Sequence, residues 1–283
     1  MISNLKTKPE KEERLKVEPE KNSGTLTIGI LGVKGGVGAS TFTLNLAAQL
    51  AAGHNLPVNP GCLLLDANLQ QPDLALLLNL KPRFSISDLI PRLDSLSVEL
   101  LSSCLTESAG VSLLTASANI SEALTVSPDA LSRLLCAIKA LDKLPVCLVD
   151  LPKTLDQNLL AMLDNLDHLI LVMEATVPAL AATGKWLSIL SDLGIDKDRL
   201  TLVLNRAGGK MKDVEKQLLA LTSRSQNHNI FKVPNAYEEA ENAAIQGLPM
   251  VLRTSRGAYA RSIAVICRHL AENPVLKEGL CRI

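Results

Sequence analysis

Aromatic side chains are scarce in this 283-residue chain, where three Phe, two Tyr and one Trp make up only 2% of the residues. Apolar residues nevertheless account for 47%, so the core must be built from Leu, Ile, Val and Ala. Neither charge is in excess, because Lys and Arg number 29 and Asp and Glu also number 29. A neutral chain has no overall basic field to attract nucleic acid, although the count is compatible with a local patch.

Several signals of location and metal chemistry are also missing. The six cysteines form no CxxC pair, which favours reduced core thiols over a metal site or a disulfide framework. The four histidines show no ligand spacing. The polar start has no apolar signal-peptide region, and there is no uncharged apolar stretch of transmembrane length. We therefore expect a cytoplasmic protein.

The chain divides into three parts. Residues 1–24 are rich in Lys and Glu and are predicted to be a disordered charged tail. Strand and helix patterns alternate through 25–272, and 273–283 form a short C-terminal tail. Because strands such as 169–173 are apolar without alternation, we predict an α/β domain with a doubly wound, mostly parallel sheet flanked by helices. The predicted strands cover 25–31, 61–66, 111–115, 145–150, 168–173, 200–204 and 230–233.

A glycine-rich segment lies between the first predicted strand and a predicted helix over 41–52. Its sequence is Gly32-Val33-Lys34-Gly35-Gly36-Val37-Gly38-Ala39-Ser40-Thr41. Backbone N–H groups of such a loop, together with a helix N-terminus, can surround phosphate oxygens. The ordinary phosphate-binding loop ends Gly-Lys-Ser/Thr, and its lysine reaches the terminal phosphates. Here Ala39 holds that position, while a lysine, Lys34, occurs near the start of the loop.

Carboxylates follow two other predicted strands. Asp150 ends an apolar strand, which is where a phosphate-loop protein usually has the carboxylate that holds magnesium through water; a helix N-cap or loop carboxylate is the alternative. Ser40 has the loop's hydroxyl position and is the expected direct magnesium ligand. Asp66 and Asn68 follow the second strand.

The loop Lys34-Gly35-Gly36-Val37-Gly38 resembles the deviant phosphate loop of the ParA/MinD family of P-loop ATPases, and the similarity continues over nearly the whole chain. The resemblance implies ATP and Mg²⁺ as cofactors and a homodimer that forms on ATP binding. It also implies that Lys34 reaches the nucleotide of the partner and that Asn205 reads adenine. The residues that would contact the nucleotide are Lys34, Gly35, Gly36, Val37, Gly38, Ala39, Ser40, Thr41, Asn205, Arg206 and Pro234.

Within that family, the Gly-Val-Gly-Ala-Ser-Thr loop and the Asp-Leu-Pro-x-x-Leu-Asp segment that begins at Asp150 look like the TadZ/CpaE branch. This implies a scaffold that localises a tight-adherence (Flp-type) pilus assembly and secretion machine at the inner membrane, at a cell pole. Many members carry an N-terminal receiver-like domain, which does not precede residue 25 here. The sequence leaves open whether another chain supplies it.

The second strand departs from the family pattern. The usual Asp-x-Asp stands here as Asp66-Ala67-Asn68, and in the family the second aspartate positions the attacking water. Asn68 cannot act as a general base, because an amide does not accept a proton usefully at neutral pH. Asp66 is a weaker catalytic candidate, and Lys34 would act across the dimer. Together with Ala39, this predicts nucleotide binding with slow or absent hydrolysis, so enzymatic activity is an open question.

An alternative function follows from the same residues. It is a working ATPase of the ParA/MinD type that positions DNA or other cargo through ATP-driven cycling. Four arginines near the C-terminus would either form the solvated face of an amphipathic helix or contact DNA or anionic lipid; they are Arg253, Arg256, Arg261 and Arg268. The mixed-charge tail 273–283 is not expected to anchor the chain to a membrane. The segment 84–110 is either a helical layer or a surface for a partner or second copy.

Overall fold

The computed structural model describes residues 24–53, 61–141, 144, 146–208, 212–224, 230–273 and 276. The tail predicted for 1–24 and the tail predicted for 273–283 lie almost wholly outside the described residues. Both therefore stay predictions.

One eight-stranded sheet forms the centre of the described chain, in the order β3-β4-β2-β5-β1-β6-β7-β8. Every neighbouring pair is parallel except β3 with β4. The predicted doubly wound, mostly parallel sheet is confirmed. The strands are β1 (Leu26–Gly32), β2 (Cys62–Asp66), β3 (Thr106–Ser108), β4 (Val111–Leu114), β5 (Val146–Asp150), β6 (His168–Glu174), β7 (Leu200–Ala207) and β8 (Ile230–Pro234).

Helices cover both faces of this sheet. The α-helices are α1 (Ala39–Ala51), α2 (Leu74–Leu77), α3 (Ile86–Leu89), α4 (Val98–Cys104), α5 (Ile120–Ala123), α6 (Pro128–Lys139), α7 (Gln157–Leu163), α8 (Val177–Asp192), α9 (Lys212–Arg224), α10 (Tyr237–Gln246), α11 (Met250–Arg253) and α12 (Ala258–Glu272). Helix α1 packs with α11 and α12, whereas α6 packs on α7 and α8 on α9. Right-handed crossovers place these two groups on opposite faces. Across the described ranges, no helix has the length and apolar character needed to span a membrane.

The central strands explain why the sheet is buried on both faces. All residues of β1, β5 and β6 are buried, and strands covered on both faces are apolar runs rather than alternating patterns. The core is aliphatic, as the shortage of aromatics requires, and Phe42 is one of its few rings.

Two differences from the sequence predictions concern the edge of the sheet and the glycine loop. The segment 84–110 holds α3, a 3₁₀ turn (Ile90–Ser95) and α4 as expected, but it also contributes β3 to the edge of the sheet. This strand has three partly exposed polar residues, so it carries no apolar pattern that a sequence reading could detect. Helix α1 begins at Ala39, two residues before the predicted start, because the helix continues directly from the glycine loop.

Asp167, just before β6, binds the start of β1 at the amino ends of the strands. Its Oδ2 accepts hydrogen bonds from the backbone N–H and the hydroxyl of Thr27, both at 2.8 Å. Its Oδ1 pairs with Lys139. The next residue, His168, is buried in β6 with its Nε2 2.8 Å from the Thr201 hydroxyl. Burial lowers the pKa of His168 from 6.5 to about 4.

Because His168 is neutral in the folded protein and charges more readily when unfolded, its contribution to stability is full above pH 6.5 and is lost as the pH falls toward 4. We expect this residue to lower the free energy of unfolding by about 2 kcal/mol between pH 7 and pH 5. Urea unfolding at both pH values would measure it. The variant His168→Gln, which cannot titrate, should lose less stability over this interval, and an equal loss in both proteins would contradict the assignment.

Candidate functional site

The glycine-rich loop spans residues 33–38, at the centre of the carboxyl edge of the sheet. It leaves the end of β1, which lies between β5 and β6, and enters α1. The backbone N–H of Val33 donates to the Val172 carbonyl at 2.9 Å, and Trp186 Nε1 donates to the Val33 carbonyl at 3.1 Å. Among the described residues, no side chain caps the start of α1. The first N–H groups of this helix are thus available to an anion.

Gly38 is required at the last position of this loop. Its φ of 85° lies in the left-handed region, and a Cβ there would come within 2.6 Å of Asn205 Nδ2. That Nδ2 donates to the Val37 carbonyl at 2.8 Å. Val37, predicted to contact the nucleotide, is fully buried and lines neither cavity. Asn205, predicted to read a base, therefore lies against the loop. Its Oδ1 is the amide atom that could accept a hydrogen bond from a ligand.

Asn205 and Arg206 owe their positions to an irregularity at the end of β7. The register with β8 shifts between Leu204 and Ala207, and Arg206 has a φ of 55°. A non-glycine residue in this region is strained, and such strain is commonest at functional sites. A bulge also changes the direction in which side chains point, and here it places Asn205 and Arg206 beside the loop.

Two carboxyl groups lie side by side next to the loop. Asp66 and Asp150 are partners across β2 and β5, and both are buried. Burial raises the pKa of Asp150 to about 6, against the opposing effect of hydrogen bonds from Ser40 and Thr43 and of the Lys153 charge. Burial and the nearby Asp150 raise the pKa of Asp66 well above its usual range.

These carboxylates do not form a self-contained metal centre. Within the described ranges, no cluster of three or more His, Cys, Asp or Glu side chains is arranged to hold a metal ion. The donor set of Ser40 and Asp150 fits Mg²⁺, which commonly takes one or two protein oxygens and completes its shell with phosphate oxygens and water. A cation there would also offset the cost of burying the carboxylate charge.

Asn68 is used in the structure of its own loop. Its Nδ2 donates to the Gln71 carbonyl at 2.7 Å, and its backbone N–H donates to Asp66 Oδ1 at 3.3 Å. The other oxygen of Asp66 accepts from Leu74 N–H at 3.1 Å. Asp66 and Asn68 thus shape residues 67–74, and an aspartate at position 68 could not donate the bond to Gln71.

Two cavities open at this edge. The larger has a volume of about 470 Å³ and the smaller about 50 Å³. The larger falls in the range of small-molecule sites, whereas the smaller falls below it. The larger is lined by the loop together with Asp73, Leu76, Leu77, Lys153, Arg206 and Ala244. The smaller is lined by Gly38, Thr41, Asn205, Arg206, Pro234, Asn235, Ala236, Tyr237, Ala240, Met250 and Tyr259. The residues predicted to contact the phosphates and the base therefore line two adjoining cavities.

Glu174, at the end of β6, was missed by the sequence reading. Its side chain is nearly buried and accepts from Lys34 Nζ at 3.0 Å and from Arg206 Nη1 at 3.3 Å. The Thr176 hydroxyl donates to it at 3.3 Å. Glu174 ends an apolar strand just as Asp150 does, and that pattern was the available signal. Lys34, predicted to reach a partner's nucleotide, is held here by its own chain.

The sheet order, the loop and the helix layers define the fold of ParA/MinD-type P-loop proteins, as structural comparison shows. A ParA family ATPase from Chlorobium tepidum superposes with a TM-score of 0.76 at 20% identity, covering 87% of this chain and 100% of the other. The septum site-determining protein MinD from Pyrococcus horikoshii, complexed with Mg-ADP, gives 0.70 at 18% identity and covers 88% and 96%.

A putative plasmid partition protein from Borrelia burgdorferi B31, bound to AMPPNP, gives a TM-score of 0.64 at 16% identity, covering 92% of this chain and 100% of the other. No protein-family model matches the chain, and no curated protein matches it in sequence. The likeness therefore concerns the fold.

Replacing Glu174 with Gln should lower the free energy of unfolding by about 1–2 kcal/mol, because two cations lose their charged acceptor. The figure is below that of a fully buried pair, since Lys34 and Arg206 are 35% and 40% exposed. Urea unfolding would measure it. Asp94→Asn is the matched control, because its pair with Arg133 is fully at the surface and should contribute less than about 0.5 kcal/mol. Equal losses in both variants would contradict this account.

Proposed function

We propose that this chain binds ATP with Mg²⁺ at the glycine loop and dimerises on binding, with weak or absent hydrolysis. The observation that carries the proposal is the loop itself. It joins a buried strand to the uncapped start of α1 and opens into the larger cavity beside Ser40 and Asp150. Backbone N–H groups and Ser40 would hold the phosphates, and bound Mg²⁺ would neutralise part of their charge.

The base would occupy the smaller cavity. Asn205, Arg206 and Pro234 line it, and the Oδ1 of Asn205 would accept a hydrogen bond from an exocyclic amino group. Gly38, Thr41 and Arg206 line both cavities, so a nucleotide could extend from one to the other. We propose adenine as the base because its exocyclic amino group could donate to Asn205.

Binding is favoured over turnover because of the two unusual residues. Ala39 places a methyl group where the loop lysine would contact the terminal phosphates, and Asn68 offers no carboxylate to a water. Charge on the phosphates increases in the transition state, so lost cations cost more there than in the bound ground state. An arginine finger contributes about 10³–10⁵ in rate in related enzymes. The loop lysine and the water-positioning carboxylate also act on the transition state, so their absence should lower the rate of hydrolysis.

The cellular role we propose is that of a localisation scaffold. By its resemblance to the TadZ/CpaE branch, the ATP-bound dimer would recruit tight-adherence pilus and secretion components. It would act in the cytoplasm, held at the inner membrane through these partners and at a cell pole. The segment 84–110, which carries α3, α4 and β3, is the candidate partner or dimer surface.

The competing function is an active ATPase that positions DNA or other cargo. Helix α12 buries Tyr259, Ile263, Ile266 and Leu270, as its amphipathic pattern predicts. The four C-terminal arginines named above are exposed. That arrangement favours the solvated-face interpretation and also leaves these cations accessible. A gel shift on nonspecific DNA that weakens with salt would support the competing function.

The proposed function predicts a change of mass without steady phosphate release. Sedimentation velocity of the full chain, with and without Mg-ATP, should show a shift from monomer to dimer, while phosphate release on the same sample stays near background. A shift with steady release would move the protein to the cycling ATPases. The absence of both nucleotide binding and any shift would contradict the proposal.

Restoring the two family residues should restore turnover. We expect Ala39→Lys with Asn68→Asp to raise phosphate release about 10- to 100-fold, since a single donor to a developing charge contributes on this scale. Ala39→Lys alone is the matched control, because Asn68→Asp also removes the hydrogen bond to Gln71. No increase in the double variant, with folding confirmed by circular dichroism, would count against the explanation of slow hydrolysis.

A further inference from the structure

The larger cavity has few cations with which to meet a polyphosphate. Ala39 contributes no charge to it, and the charged side chains of its described lining are Arg206, Lys153 and Asp73. A triphosphate carries several negative charges, and backbone N–H groups supply only partial positive charges. A phosphate site at this loop would therefore depend strongly on whichever side-chain cation is free to enter it.

Arg206 is not free, and neither is the loop's own Lys34. Both donate to the carboxylate of Glu174, at 3.3 Å and 3.0 Å. Each would have to exchange a nearly buried carboxylate for a phosphate oxygen, so part of the new interaction would be offset by the one lost. These two residues are poorly placed to contribute net affinity in a single chain.

Lys153 is differently situated. It lies three residues beyond Asp150, and the start of its loop is fastened to β1 by a 3.0 Å hydrogen bond from Leu151 N–H to the Ile30 carbonyl. Its ammonium group forms no hydrogen bond or ion pair with any residue in the part of the chain that the structure describes. Its charge is near enough to Asp150 to act on the pKa of that carboxyl. A half-buried lysine with no fixed partner thus borders the cavity that the loop opens into.

We propose that Lys153 is the phosphate-binding cation of this site and acts within its own chain in place of the lysine that position 39 lacks. The flexible four-carbon stem of a lysine suits it to reach a phosphate from a neighbouring loop. The inference rests on the proposed nucleotide function and names a further binding residue of that site. It requires Lys153 to increase the affinity for a nucleoside triphosphate more than for a diphosphate, because the terminal phosphate would lie in the larger cavity beside Lys153.

The test is equilibrium binding of Mg-ATPγS and of Mg-ADP to the full chain, measured by titration calorimetry. Lys153→Met keeps most of the side-chain volume and removes the charge. We expect it to weaken ATPγS binding about 10- to 100-fold, the range of a charge-assisted hydrogen bond. ADP binding should weaken less than about threefold. Lys153→Arg should keep most of the affinity, and Lys185→Met, at an exposed site on α8, should bind like the original chain.

Two further variants separate this role from a structural one. In a Lys34→Ala background, Lys153→Met should still weaken ATPγS binding, because the proposed contact lies within one chain. Adding Ala39→Lys to Lys153→Met should restore affinity by returning a cation to the same phosphates. A merely structural lysine would show neither the nucleotide selectivity nor the rescue.

The outcomes distinguish the inference from the function on which it rests. If the original chain binds ATPγS and Lys153→Met binds it equally well, the role of Lys153 is overturned while the nucleotide site stands. Equal losses for ATPγS and ADP, without rescue by Ala39→Lys, would also overturn it. If the original chain binds neither nucleotide, both the inference and the proposed function fail.

Discussion

The parallel pairing of β1 with β5 on one side and β6 on the other is the interaction on which the site depends. Ile30 is in register with Asp150, and Gly32 with Val172. This register brings the start of the glycine loop, the carboxylate of Asp150 and the carboxylate of Glu174 to a single edge. A slip of one residue in either pairing would turn a carboxylate to the opposite face, and full burial of these strands opposes any slip. The chemistry of the edge is thus fixed by aliphatic packing several residues away from it.

Much of the architecture could be predicted from sequence because its signals are local. Apolar runs indicated the buried strands, and the glycines with the following helix indicated the loop. The edge strand β3 could not be found, since three polar residues acquire a strand conformation only by pairing with β4. Asp150 was predicted because a strand-end carboxylate near a glycine loop is a known pattern. Glu174 has the same local pattern, but its role depends on its ion pairs with Lys34 and Arg206, which are 140 and 32 residues away.

The pairing at Glu174 changes how the early lysine of the loop is understood. From sequence, Lys34 is a free cation that would reach across to a second chain. In the described structure, its ammonium group is already paired with Glu174 of its own chain. Asn68 likewise was predicted only as a missing base, whereas its amide closes a turn with Gln71. In both cases the sequence did not indicate the local hydrogen-bond partner, because hydrogen-bond partners at a sheet edge are set by tertiary register rather than by spacing along the chain.

The hydrogen bond from Asn205 to the Val37 carbonyl links a residue of the smaller cavity to the loop that borders the larger one. One amide group both borders the smaller cavity and supports the backbone of the loop beside the larger one. A ligand that orients this amide would reduce the conformational freedom of the loop before any phosphate is contacted, and a phosphate that orders the loop would in turn fix the amide. Free energies for the two halves of a ligand would consequently not add. Binding at one end of the site would therefore change the affinity at the other end.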